Sequence, residues 1–183
     1  PVLRSLGDNL SEYFEDALIV TQKNGMKKGQ ILAIGEAPKV AKKFKLDLST
    51  LRINSDLLMP AFFDTHFHWV QDDVRQMPKV SLIEWLERYT FPEEAKYSDR
   101  KFSSAKAKRF WERILSVGTI GGLCYSSIHE VALEEAFKHA PEDFYIGNVL
   151  MTMNCPEEIR QSPHTACASV DNFADRYKGR YIC

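Results

Sequence analysis

"FFDTHFHWVQDD", residues 62–73, sets two histidines, His66 and His68, on either side of one phenylalanine. An apolar pair leads in and two aspartates follow. In a strand, residues two apart point to the same side. Asp64, His66 and His68 are therefore predicted to share one face, with Phe63, Thr65 and Phe67 on the other. Two neighbouring imidazoles suit zinc, iron or nickel. Catalytic zinc typically keeps three or more protein ligands and an open position for water, so two histidines are an incomplete set. A lone His-x-His also occurs in strands that hold no metal, and what surrounds it has to decide.

From Pro60 onward the pattern alternates between strand and helix. "MPAFFDTHFH" reads as a strand, because proline is tolerated at a strand start. "SLIEWLERYT" reads as a helix opened by a Ser81-x-x-Glu84 capping box, and Pro92 is expected to stop it. "DRKFSSAKAKRFWERILSVG" (99–118) is a longer helix with an apolar stripe of Ala107, Phe110, Trp111, Ile114, Leu115 and Val117, closed by Gly118. A strand over 119–129, a helix over 130–140, a strand over 144–154 and a helix over 165–179 follow, and "RYIC" (180–183) starts to read as another strand. This order implies βαβ crossovers and a parallel sheet. A closed eight-fold barrel needs on the order of 250 residues. The predicted fold class is thus α/β, the first half of a (β/α)8 TIM-like barrel, over 60–183. In such a barrel the histidine pair ends the first strand, where barrel enzymes place their chemistry.

Residues 1–59 read differently. "DALIVT" (16–21) and "GQILAIG" (29–35) are apolar runs around turn chemistry that includes Asn24-Gly25. "FKLDLST" (44–50) alternates apolar and polar side chains as a half-exposed strand does. This part is predicted to be a small β-sandwich segment, too short for a large core of its own.

Of the 183 residues, 44% are hydrophobic and 27% charged, and the net charge is −1. That balance reads as globular, with no general electrostatic pull toward nucleic acid or an anionic membrane surface. No apolar run reaches the length of a membrane span. The opening "PVLRSLGDNL" lacks the apolar region of a signal peptide, which makes a cytoplasmic location the default. The four cysteines (Cys124, Cys155, Cys167 and Cys183) form no C-x-x-C pair and read as reduced thiols, with Cys124 in the core. His129, His139 and His164 read as a loop residue near a helix start, a helix C-terminal dipole contact and a solvated loop residue. Glu93 and Glu94 read as exposed loop acids. No P-loop, dinucleotide fingerprint or Ser/His/Asp order is present.

The segment "LLMPAFFDTHFHWVQ" resembles the first strand of the amidohydrolase superfamily, whose hallmark is a His-x-His metal pair. "LIEWLERYTFPEE" (82–94) narrows the resemblance to the guanine deaminase family; "SVGTIGGLCYSSIH" and "IGNVLMTMNCPEEI" are similar to that family's second and third strands. Ala61 and Ile120 depart from the glycine and threonine usual there. The resemblance implies that His66 and His68 are two ligands of a zinc ion, or alternatively of iron, and that Gln71 binds a small-molecule purine. It also implies hydrolysis of guanine to xanthine and ammonia, with the remaining ligands and catalytic groups expected beyond Cys183. The alternatives are another amidohydrolase acting on a purine, a pyrimidine or a cyclic amidine, and an inactive truncated or two-piece product. A homodimer or a complementary C-terminal segment is the expected protein partner.

Overall fold

The computed structural model describes residues 1–79 and 81–183. The chain divides into two compact units, Pro1–Pro60 and Ala61–Cys183. No helix among the described residues is long and apolar enough to cross a membrane.

In the first unit, β1 (Val2–Gly7) and β2 (Leu10–Phe14) form an antiparallel hairpin. Its turn runs through Gly7, Asp8 and Asn9, all at positive φ, a region that glycine, aspartate and asparagine enter most readily. The backbone of Leu58 bonds to Pro1 and Leu3 along the edge of β1. A second antiparallel pair joins β3 (Ala17–Thr21) to β4 (Ile31–Glu36). Helix α1 (Ala37–Phe44) follows at once, with Pro38 in its first turn and Val40 and Ala41 buried.

The predicted strand over 44–50 does not form. Lys45 takes a left-handed conformation (φ 53°), and its N–H closes α1 on Ala41 and Lys42. Asp47 then accepts the backbone N–H of Ser49 and starts a short 3-10 turn, Leu48–Thr50. The alternation that suggested a strand was a helix end followed by an Asx turn.

The second unit carries a parallel sheet in the order β5 (Phe62–His68), β6 (Thr119–Ser126), β7 (Phe144–Asn148). Between β5 and β6 the chain passes through α2 (Leu82–Trp85), a π-helical turn (Leu86–Thr90), α3 (Phe91–Ala95) and α4 (Arg100–Ser116). Helix α5 (Glu130–His139) links β6 to β7, and α6 (Pro163–Arg176) leads back to a parallel bridge between Tyr181 and Ile146. That bridge runs close to Gly147, where a Cβ would lie 2.2 Å from the carbonyl oxygen of Ile182. The sheet's helix-facing side buries Cys124, Phe144 and Ile146 against Trp111, Leu133 and Phe173. Burial raises the Cys124 thiol pKa far above its usual range, so this cysteine is inert core.

Two helix expectations change. Pro92 does not end its helix: it occupies the first turn of α3, where its missing N–H costs nothing, and the π turn before it absorbs the break in the hydrogen-bond ladder. The stripe on α4 holds at Ala107, Phe110, Trp111 and Ile114, but Leu115 and Val117 are exposed. The strand expected over 144–154 ends at Asn148.

Candidate functional site

The His66–His68 segment is anchored from both of its flanks. Phe67 packs between Phe110, Trp111 and Phe144 with ring centroids 5.8–6.3 Å away. Fully buried Trp69 donates its indole N–H to Ser126 Oγ at 3.0 Å and meets Tyr97 edge-on at 4.9 Å. Such aromatic contacts are directional as well as apolar, so they fix the rotation of the strand about its axis. With Phe67 turned into the helix layer, His66 and His68 lie on the opposite face.

The strand also carries a bulge. Asp64 pairs with Gly122 and Phe67 with Cys124, so β5 spends three steps where β6 spends two. The extra residue shifts the alternation, and Asp64 no longer shares a face with His68, contrary to the expectation from period two. Its carboxylate instead accepts the backbone N–H of His66 at 3.1 Å.

The imidazoles of His66 and His68 have centroids 5.4 Å apart, and Tyr125 lies against both, at 4.9 and 5.4 Å. His68 Nδ1 is buried without a hydrogen-bond partner. Burial, with a smaller contribution from the neighbouring His66, lowers the His68 pKa below 6.5. Near neutral pH His68 is therefore an uncharged ring with a free lone pair, the form that binds metal. The donor set fits two ligands of a zinc or iron ion. Among the described residues, no group of three or more His, Cys, Asp or Glu side chains is arranged to hold one.

Gln71 ends a 3-10 turn, Trp69–Gln71, that follows β5 directly. Its Nε2 donates to Glu94 Oε1 at 2.9 Å. Glu94 is 5% exposed, and burial raises its pKa, with the Gln71 hydrogen bond acting in the opposite sense. Glu93 is buried too and pairs with Lys96 at 2.6 Å. Both acids therefore contradict the reading as exposed loop residues. They lie in the turn of α3 that directly follows the π turn, and both are buried there. The one local cue was "PEE", a proline and two acids of the kind that open a helix.

Asp72 and Asp73 tie the same loop to α4. Asp72 pairs with Arg113 at 3.0 Å and with Arg75 at 3.2 Å, and Asp73 pairs with Lys106 and Arg109. A cavity of about 380 Å³ opens beside them, lined by Asp64, His68, Gln71, Asp72 and Arg75 among others; neither His66 nor Glu94 is part of its wall.

The other histidines are not brought to the pair. His129 is the residue before α5 but makes no capping bond; its Nε2 is buried without a partner, and burial lowers its pKa. His139 Nε2 stands 3.8 Å from Glu135 at the end of α5. His164 is exposed in the first turn of α6 rather than in a loop.

No protein-family model matches the chain. A guanine deaminase of Escherichia coli is 25% identical over 168 residues, covering 90% of this chain and 37% of its own length. A guanine deaminase of Dictyostelium discoideum is 30% identical over 132 residues, covering 70% of this chain and 29% of its own length. The chain is similar to guanine deaminases. It spans well under half the length of these two relatives. Among solved structures, the Escherichia coli guanine deaminase matches with a TM-score of 0.73 at 23% identity, over 94% of this chain and 40% of that one. The guanine deaminase of C. acetobutylicum, with guanine bound in its active site, matches at 0.69 and 19% identity over 98% and 42%. An atrazine chlorohydrolase of Arthrobacter aurescens, complexed with zinc and atraton, matches at 0.60 and 14% identity over 99% and 45%. At these identities the structural likenesses establish an α/β fold with a parallel sheet shared with these hydrolases.

Proposed function

We propose that this chain carries the first part of a guanine deaminase site, on the opening strands of a (β/α)8 barrel, and serves the hydrolysis of guanine to xanthine and ammonia. The observation that carries the reading is the sequence His66-Phe67-His68-x-x-Gln71, which sets two imidazoles 5.4 Å apart at a strand end and an amide on the turn that follows. The similarity to guanine deaminases supports it, as does the parallel β5-β6-β7 order with Tyr181 extending it.

His66 and His68 are the residues that would hold the metal, zinc or alternatively iron. When bound, the metal supplies a Lewis acid that makes water nucleophilic near neutral pH. His68 serves it in the neutral form that its burial favours. Gln71 binds the edge of the purine, and an amide that pairs with a ring edge rejects analogues leaving it unpaired. Asp72 and Asp73 hold the Gln71 loop against α4 through their pairs with Arg113, Arg75, Lys106 and Arg109. A cytoplasmic location and a partner in the form of a second copy or a complementary segment belong to the same reading.

The test is direct. The purified chain is loaded with zinc, and guanine binding and ammonia release are measured beside related purines and pyrimidines. Guanine is expected to bind in preference to the other heterocycles. With only two ligands among the described residues, turnover by the chain alone is expected to be slow or nil. Preference for a pyrimidine overturns the substrate, and rapid turnover without a second polypeptide overturns the two-ligand account.

A further inference from the structure

Gln71 has two faces, and only one is committed within the protein. Its Nε2 reaches Glu94 Oε1, while no side-chain hydrogen bond is made to its Oε1 among the described residues. The amide nitrogen, not the oxygen, faces the Glu94 carboxyl, whose Oε1 accepts its N–H. Glu94 is held in place independently of Gln71. It lies in the first turn of α3 on the far side of the π turn, and Phe91 beside it is buried with Cys155 and Ile159. On the other side, Gln71 is held by Trp69 and by the ion pairs of Asp72 and Asp73. Two separately anchored elements therefore meet at one hydrogen bond.

We propose that Glu94 is a positioning residue that sets which way the Gln71 amide faces. With its nitrogen committed to Glu94, Gln71 offers a ligand its carbonyl oxygen and one remaining N–H. An acceptor beside a donor complements the N–H and ring nitrogen of a cyclic amidine or amide, and it is fixed before the ligand arrives. Preorganisation of this kind removes the cost of choosing between two amide orientations at binding. The inference rests on the purine-site reading for its consequence, but the hydrogen bond itself does not.

The experiment uses the full chain, 15N-labelled, and reads the side-chain amide signals of Gln71, assigned by their loss in Gln71→Met. In the unmodified chain one Gln71 amide proton is expected downfield and slow to exchange. Glu94→Met, which keeps length but cannot accept strongly, is expected to return both protons to free-amide behaviour and to weaken guanine binding about tenfold. Glu94→Gln, which can still accept through its own oxygen, is expected to restore most of both. Backbone amide dispersion reports whether each variant is folded, and Glu94→Leu replaces Glu94→Met should the latter unfold. Gln71 signals unaltered by loss of Glu94 overturn the proposal, as does guanine affinity that stays constant while those signals change. An unmodified chain that shows the downfield proton but never responds to guanine overturns the purine reading, and the positioning role with it, while the Glu94–Gln71 bond stands.

Discussion

A Cβ on Gly122 would lie 1.9 Å from the carbonyl oxygen of Asp64. The two residues are partners in the β5–β6 register, at the point where the bulge begins. Gly122 also holds φ at 154°, a conformation side chains resist. The strand that bears His66 and His68 can thus approach β6 only because residue 122 has no side chain. Gly122→Ala is expected to destabilise the fold by roughly 3 kcal/mol or more, since neither backbone can give way cheaply. Urea denaturation reads this as a lower midpoint; an unchanged midpoint contradicts the close approach.

Ser126 receives the indole N–H of Trp69 inside the protein, and both residues are fully buried. Ser126→Ala leaves that N–H with no acceptor and is expected to cost about 1–3 kcal/mol. Trp69→Phe removes the donor together with part of the ring. The double variant is expected to lose less than the sum of the two single losses, because the shared hydrogen bond is counted only once.

For metal binding, His66→Ala and His68→Ala are each expected to weaken zinc affinity on the order of a hundredfold or more, beyond the scale seen when only a ligand's supporting partner is lost. Competition against a chromogenic chelator measures it. Tyr125→Phe keeps the ring against both imidazoles and is expected to leave the affinity close to that of the parent chain. Equal zinc binding in all variants would place the metal elsewhere.

Acid and base act on this fold in opposite senses. Burial lowers the pKa of His68 and His129 below 6.5, so the unfolded chain binds more protons there. Their contribution to stability is complete above pH 6.5 and is lost as pH falls toward the folded values. Burial raises Glu94 above 4.5, which makes the folded chain the better proton binder. Its ionisation therefore takes stability away as pH rises through that raised value. His129→Asn is expected to flatten the loss between pH 7 and 5, and Glu94→Gln to raise stability more at pH 7 than at pH 4. Thermal melts across this range read both slopes.

The alternation of apolar runs with helical stripes was enough to indicate an α/β chain. Strand β5, helix α4, strand β6 and helix α5 lie close to where periodicity and end signals put them. The capping serine of α2 was also legible, because Ser81 accepts the N–H of Glu84 as the Ser-x-x-Glu pattern implies. Local rules work where the cause is local. They failed at 44–50, where a helix end and an Asx turn happened to alternate, and at Pro92, where proline sits in a helix that continues.

The sequence by itself determined that two histidines end a strand and that a glutamine follows three residues later, because period two and a short turn need only neighbouring residues. Only the tertiary structure decided which side chains those residues meet. The bulge opposite Gly122 removes Asp64 from the histidine face, and a π turn shifts the phase of α3 relative to α2 by roughly the 100° that one extra residue adds. Both devices break the regular period on which reading a face from sequence depends. The meeting of Gln71 with Glu94, 23 residues apart, lies beyond any such period: it comes from packing two elements against a common core, and burial then sets the charge of the acid that receives the amide.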